Sequence, residues 1–80
     1  MNGPQVLLSD LRPGDRGRVM PAILVHPATP KLLAMGLLPG TEVAVIQVAP
    51  LGDPVEIEFR GMRLSLRRAD AAAVPLEKLA

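Results

Sequence analysis

The chain has 80 residues, of which 49% are hydrophobic and 21% are charged, and its formal net charge is +1. These values predict one folded domain over residues 1–80, with a core from about residue 8 to residue 76. The low net charge and the single aromatic residue, Phe59, argue against a surface that binds nucleic acid through clustered cations or base stacking. Cysteine is absent, so no disulfide can support the fold.

The sequence contains no segment suited to crossing a membrane. Its N-terminus has no basic start, and its longest apolar run, residues 19–25, is interrupted by Pro21. That run is far shorter than the roughly 20 residues that a membrane-spanning helix needs. We therefore expect a cytoplasmic protein without direct membrane insertion, and the lack of cysteine fits a reducing compartment.

The first predicted strand covers residues 16–25 and follows a Pro13-Gly14 turn. Pro21 lies inside this range and removes one backbone donor, so that part of the strand is expected at a sheet edge or a bulge.

One short helix is predicted at about residues 30–35. Thr29 is a suitable N-cap, and Pro30 suits the first helical position. Gly36 provides the left-handed residue that commonly ends a helix. A helix of one to two turns depends on packing for its stability.

The second half of the chain has the clearest strand pattern. Val43 and Val45 alternate with polar or small residues, whereas Ile46 and Val48 carry the apolar positions afterwards. This change of phase predicts a β-bulge between Val45 and Ile46, which would bend the strand.

A tight hairpin is predicted around Arg60-Gly61, because apolar and polar residues alternate on both sides of this dipeptide. The apolar positions are Val55, Ile57, Phe59, Met62, Leu64 and Leu66. Opposite charges should pair across the solvent face of this hairpin. The candidates are Glu56, Glu58, Arg63 and Arg67.

The chain should end with a helical or 3₁₀ turn at about residues 68–72 and a last short edge strand at residues 73–76, with frayed residues after it. The whole pattern predicts a small all-β fold. We expect an SH3-like β-barrel of five strands, with one short helix and the 3₁₀ turn.

The turn at residues 49–54 is predicted to be rigid and to carry an apolar tip. Two prolines and a glycine restrict its backbone, and Asp53 can bond the backbone of its own turn. Leu51 is the one large apolar side chain of this turn. We expect it to be exposed and offered to a partner.

A second apolar group lies around the end of the predicted helix. We expect Leu38 to be exposed and Leu33 to plug the open end of the barrel, while Met35 suits either place. If the fold brings this group next to Leu51, the two would form one contiguous patch. The predicted partner-binding residues are Met35, Leu37, Leu38, Leu51 and Asp53.

The residues that carry metal or acid–base chemistry are sparse. His26 is the only histidine, it precedes Pro27 in a predicted loop, and the strand carboxylates alternate with apolar residues. No serine or threonine has an evident base partner. We expect no enzymatic activity, no resident cofactor and no metal-ligand set.

Several motifs follow one another along the chain. They are Leu8-Ser9-Asp10-Leu11, Met35-Gly36-Leu37 with Pro39-Gly40-Thr41, Ala49-Pro50-Leu51-Gly52-Asp53-Pro54 and Leu64-x-Leu66-Arg67-Arg68. This series resembles the ferrous iron transport protein A family, the FeoA-like domains, over roughly residues 8–76.

The resemblance implies a cytoplasmic accessory protein of ferrous iron uptake. Such a protein would act as a binding module on the cytoplasmic G domain of an FeoB-type membrane transporter, and would be peripheral to the inner membrane through that partner. A weak homodimer is compatible with the exposed apolar tips. The family's link to iron also implies some affinity for transition metals.

Two alternatives remain open from the sequence. Domains similar to the FeoA-like ones occur in iron- or manganese-responsive repressors, so the chain could be an SH3-like metal-responsive regulatory domain. A small β-barrel that binds nucleic acid is the other alternative, against which the charge and the lack of aromatic residues count.

Overall fold

The computed structural model describes residues 5–21, 27 and 29–79. In chain order the elements are β1 (Gln5–Leu7), a 3₁₀ turn (Leu8–Asp10), β2 (Arg16–Val19), α1 (Thr29–Ala34), β3 (Glu42–Val48), β4 (Val55–Phe59), β5 (Met62–Leu66), α2 (Arg68–Ala71) and β6 (Pro75–Leu79). The longer of the two α-helices in the described part of the chain has six residues. Within the described ranges, no helix is long and apolar enough to span a membrane.

The six strands of the described ranges belong to one antiparallel sheet in the order β1-β6-β2-β3-β4-β5. The all-β fold is confirmed, although the sheet has six strands and the prediction had five. The strand that the prediction missed is β1, which has only three residues and pairs with β6 from the other end of the chain. A pattern of local alternation cannot reveal so short a strand.

The strand β2 ends at Val19, earlier than the predicted end at residue 25. Met20 still donates its backbone N–H to the carbonyl of Pro75 at 3.0 Å, but Pro21 has no N–H with which to continue the pairing. Residues 22–25 of the predicted strand lie outside the described residues.

The last strand differs from its prediction in position and length. β6 lies between β1 and β2, so it is an interior strand rather than an edge strand, and it extends to Leu79 instead of fraying. Pro75 is tolerated because it is the first residue of the strand, where a missing donor costs least. The two ends of the chain are thereby joined in one sheet.

The predicted bulge and hairpin are both confirmed. The register between β3 and β4 shifts between Val45 and Gln47, which leaves Ile46 as the extra residue. At the β4–β5 hairpin, Arg60 and Gly61 have φ of 52° and 76°, the arrangement of a type I′ turn. Glu58 lies opposite Arg63, with Oε2 and Nε 3.5 Å apart.

The turn predicted at residues 68–72 as helical or 3₁₀ is α-helical. The backbone N–H groups of Ala71 and Ala72 donate to the carbonyls of Arg67 and Arg68, which are four residues earlier. The 3₁₀ turn of the structure lies instead at Leu8–Asp10.

One hydrophobic core lies on the inner face of the sheet. Val55, Ile57 and Phe59 of β4 are buried there, as predicted. β5 is covered less completely, because Met62 keeps 51% of its surface exposed while Leu66 is buried. The core therefore covers β4 more completely than β5.

Candidate docking surface

The turn between β3 and β4, residues 49–54, is closed by two backbone hydrogen bonds. Gly52 N–H donates to the carbonyl of Ala49 at 2.7 Å, and Ala49 N–H donates to the carbonyl of Pro54 at 3.1 Å. Pro50 occupies the second position of the inner turn, where its restricted φ is favourable. Leu51 stands at the tip with 97% of its surface exposed, which confirms the predicted exposure.

Asp53 anchors this turn to the helix α2. Its Oδ1 accepts a hydrogen bond from the backbone N–H of Arg68, the first residue of α2, at 2.9 Å. The first N–H groups of a helix have no partner inside the helix, and a carboxylate there also interacts favourably with the helix dipole. The sequence predicts that Asp53 bonds the backbone of its own turn, whereas its partner in the structure lies 15 residues further along the chain.

The end of α1 is a Schellman motif, and it buries Leu37. Gly36 has φ of 102° and donates to the carbonyl of Leu33 at 3.0 Å, while Leu37 N–H donates to the carbonyl of Leu32 at 3.1 Å. This geometry places Leu37 against Leu32, and Leu37 is only 2% exposed. The prediction that Leu37 contacts a partner from the surface is therefore wrong: its side chain belongs to the core.

The other apolar residues of this region divide between core and surface. Leu38 is 41% exposed, as predicted, and Met35 is partly buried against the core. Leu33 is 46% exposed, so the prediction that it plugs the barrel is wrong. Successive helical residues point about 100° apart, and Leu32 takes the inward position, which turns Leu33 toward solvent.

An apolar groove of about 330 Å³ lies beside α1. It runs between the end of β2, α1 with the loop after it, and the segment before β6. Among the described residues, those that line it are Val19, Met20, Pro21, Thr29, Leu32, Leu33, Leu37, Pro39, Ala73, Val74 and Pro75. Local pattern did not predict this groove, because its walls come from three distant parts of the sequence.

The two halves of the predicted patch are two features of the chain that lie before and after β3, and their contiguity stays a prediction. Leu38 precedes β3 and Leu51 follows it, and a seven-residue strand is about 20 Å long. Leu51 is also not among the residues that line the groove. Leu38 and Leu51 therefore stand beyond opposite ends of β3.

The helix α2 connects the two features through polar contacts. At its start, Arg68 N–H binds Asp53 of the turn. Further along, Asp70 Oδ2 forms an ion pair with Lys31 Nζ of α1 at 3.0 Å. These contacts hold the turn and α1 against the same four-residue helix.

Among the described residues, no group of three or more histidine, cysteine, aspartate or glutamate side chains could hold a metal ion. His26 lies outside the described residues. In the same described part of the chain, no buried side-chain nitrogen or oxygen lacks a hydrogen-bond partner.

Solved structures share this architecture. A crystal structure of an iron uptake regulatory protein, FeoA, is 34% identical, with a TM-score of 0.81 over 95% of this chain and 99% of that chain. The FeoA of Stenotrophomonas maltophilia, crystallised with zinc and described as a prokaryotic SH3 domain protein, is 24% identical, with a TM-score of 0.78 over 90% of this chain and 89% of its own. The second likeness concerns the fold alone and confirms the predicted SH3-like fold.

Sequence comparison agrees with the structural one. The chain is 36% identical over 70 residues to an Fe(2+) transport protein A/Fe(2+) transporter FeoB fusion protein of Porphyromonas gingivalis, a match that covers 88% of this chain and 8% of that protein. The chain thus spans a small part of the length of this curated relative. The family model that represents the FeoA domain matches residues 6–78 of this chain. The chain belongs to the FeoA domain family.

Proposed function

We propose that this chain is an accessory protein of ferrous iron uptake that binds the cytoplasmic G domain of an FeoB-type transporter. The observation that carries the proposal is Leu51, an almost fully exposed leucine at the tip of a hydrogen-bonded turn. In this proposal the protein is cytoplasmic and reaches the inner membrane only through its partner.

The relative from Porphyromonas gingivalis supports the choice of partner. In that fusion protein an Fe(2+) transport protein A and an Fe(2+) transporter FeoB form one polypeptide. Two proteins that are fused in one organism are good candidates for association as separate chains in another. The proposal extends this association to the present chain and assigns it to the G domain.

The energetics of Leu51 favour a contact with another protein. Burying a leucine side chain stabilises a complex by about 1.5–3 kcal/mol. The turn around Leu51 is closed by its own hydrogen bonds and tied to α2 through Asp53, so binding has little backbone entropy left to remove. We assign Leu51 the direct contact and Asp53 the positioning of the turn.

Met35 and Leu38 form the second contact of the proposed interface. A protein–protein interface of standard size covers about 800 Å² on each partner, which corresponds to a patch about 30 Å across. Such a patch can reach both Leu38 and Leu51, which lie beyond the two ends of β3. Leu37 is not included, because it is buried.

Binding to the purified G domain of the same organism's transporter tests the proposal. Titration calorimetry is performed with the G domain free of nucleotide, with GDP and with a non-hydrolysable GTP analogue. We expect Leu51→Glu to weaken binding about tenfold or more, because it places a charge where an apolar side chain is buried. Leu51→Met keeps the apolar contact and should bind nearly as the unchanged protein does.

Leu33→Glu is the matched control, because Leu33 is an exposed leucine of the groove and is absent from the proposed contact. It should leave binding unchanged. If Leu33→Glu weakens binding and Leu51→Glu does not, the groove is the docking site and the assignment of Leu51 is wrong. If no nucleotide state of the G domain binds, the proposed function itself fails. Light scattering at two concentrations shows whether self-association competes with binding.

A further inference from the structure

The positive charge of the chain is concentrated on one short segment. Residues 60–68 contain four arginines and no carboxylate, namely Arg60, Arg63, Arg67 and Arg68. The whole chain has 9 basic and 8 acidic residues, so the remainder has 9 − 4 = 5 basic residues against 8 acidic ones, a net charge of −3. The segment comprises β5, its hairpin turn and the start of α2.

The strand β5 lies at one edge of the sheet, and within the described ranges it pairs only with β4. The direction in which the backbone N–H and C=O groups of β5 point can be derived from the hydrogen bonds of β3. The backbone of Val45 exchanges hydrogen bonds with Gly14 and Asp15 on the β2 side. The backbone N–H and C=O of its neighbour Ala44 therefore point toward β4, where Ala44 pairs with Glu58. The backbone groups of the next residue of β4, Ile57, must then face β5.

Alternation along an antiparallel pair decides the rest of the edge. Ile57 lies opposite Leu64, so the N–H and C=O of Leu64 point toward β4. Those of Arg63 and Ser65 therefore point away from the sheet. Both residues are exposed, and their side chains lie on the solvent face, opposite Glu58 and Glu56 respectively.

We propose that the edge of β5 binds an extended acidic segment of a partner protein, which adds to the sheet as a further strand. The outward N–H and C=O groups of Arg63 and Ser65 would form the backbone hydrogen bonds, as in other cases of β-strand addition. Arg63, which lies on the solvent face of β5 beside Glu58 of β4, and Arg67, which directly follows β5 as the N-cap residue of α2, would meet carboxylates at alternate positions of the partner.

A second copy of this chain fits the same edge poorly in the register centred on Ser65. Antiparallel pairing of two β5 strands about Ser65 would place Arg63 of each copy opposite Arg67 of the other, and like charges that face each other destabilise a sheet. The positive charge of these arginines hinders pairing with a second copy and attracts an acidic strand. The edge also ends beside the turn of Leu51, since Arg68 N–H is bonded to Asp53.

This inference goes beyond the proposed function, because the edge can take an acidic segment whether or not the transporter G domain is a partner. The probe is a synthetic peptide in which glutamate alternates with valine and threonine. Binding is followed by NMR of the backbone amides and by their hydrogen exchange. We expect exchange at Arg63 and Ser65 to slow several-fold, while the amide of Leu64, already paired with β4, stays unchanged.

Two modified peptides separate strand addition from simple charge attraction. A peptide with lysine in place of glutamate should not bind. A peptide N-methylated at the residues that face β5 keeps its charges but lacks donors, and it should bind about threefold to tenfold more weakly per lost hydrogen bond. If the N-methylated peptide binds as well as the unmodified one, or exchange at Arg63 and Ser65 does not change, the proposed strand addition is wrong.

Protein variants give an independent check. Arg63→Glu combined with Arg67→Glu should weaken binding of the glutamate peptide about tenfold or more. The matched control is Arg12→Glu combined with Lys78→Glu, which changes the net charge equally away from this edge and should leave binding within about twofold. If the two double variants lose binding equally, or the unchanged protein does not bind the peptide, the inference fails and the arginines only protect the edge from self-pairing.

Discussion

The loop after α1 and the turn after β3 use the same kinds of residue and place their leucines in opposite environments. Leu37 follows Gly36 and is 2% exposed, whereas Leu51 precedes Gly52 and is 97% exposed. Both glycines have positive φ, of 102° and 87° respectively. Neither the leucine nor the adjacent glycine therefore decides burial.

The difference arises from what each loop is bonded to. Leu37 N–H bonds back to Leu32 in the last turn of α1, which directs the Leu37 side chain onto the apolar face of that helix. The other turn is bonded to itself and, through Asp53, to the polar start of α2. A loop closed onto an apolar helix face buries its leucine, and a loop anchored by a carboxylate leaves it free.

Leu37→Ala should have the largest effect of the changes that test this comparison. We expect it to lower the free energy of unfolding by about 2–5 kcal/mol, because it removes a buried side chain and leaves a cavity beside Leu32. Urea denaturation followed by circular dichroism measures the loss. A loss below about 1 kcal/mol would show that Leu37 contributes little to the core and that the two loops differ less than the structure indicates.

Gly36→Ala should have the next largest effect. A Cβ at this position would meet only Phe59 Cε2, at 3.6 Å, so the space is adequate and the cost comes from the left-handed backbone. We expect a loss of about 1–2 kcal/mol in the free energy of unfolding, measured by the same urea titration. Gly36→Asn, which tolerates this conformation better, should lose less. Equal losses in the two variants would contradict backbone strain as the cause.

Asp53→Ala should have a smaller effect, since it removes one exposed hydrogen bond. We expect a loss of about 1 kcal/mol in the free energy of unfolding and faster hydrogen exchange at the Arg68 amide, because that N–H loses its acceptor. Asp53→Asn keeps an oxygen that can accept the bond and should restore most of the protection. If the Arg68 amide exchanges at the same rate in Asp53→Ala, the turn is not anchored through this carboxylate.

Leu51→Glu should have the smallest effect on stability. An almost fully exposed side chain makes few contacts in the free protein, so we expect the free energy of unfolding to change by less than about 0.5 kcal/mol. The urea midpoint measures this directly. A loss comparable to that of Leu37→Ala would mean that Leu51 packs against the protein in solution, which would remove the basis for its role in docking.

Residues 49–54 and 55–66 were predictable because their signals are local. Alternating apolar residues identified β4 and β5, the change of phase at Val45 identified the bulge, and Arg60-Gly61 identified the hairpin. The exposure of Leu51 was also predictable, since the neighbouring strands have complete apolar faces without it. Each of these features depends on residues that are close together in the sequence.

The predictions failed where a feature depends on a segment that is distant in sequence, or where a local motif also determines the position of a neighbouring side chain. β1 and the interior position of β6 depend on pairing between the two ends of the chain. The groove depends on three separate segments. The burial of Leu37 could have been found, because a glycine that ends a helix often places the following apolar residue on the last turn.

By itself, the sequence determined that the chain is a small all-β domain, where its central strands turn, and that a leucine is presented at residue 51. Tertiary structure alone decided that Leu38 and Leu51 stand beyond opposite ends of β3, that Asp53 anchors its turn to α2, and that β5 lies at a free edge within the described part of the sheet. The physical reason is the distance in sequence over which each kind of interaction acts. Backbone propensity and side-chain alternation act over a few residues, whereas strand order and capping from another segment depend on which distant parts of the chain pack together.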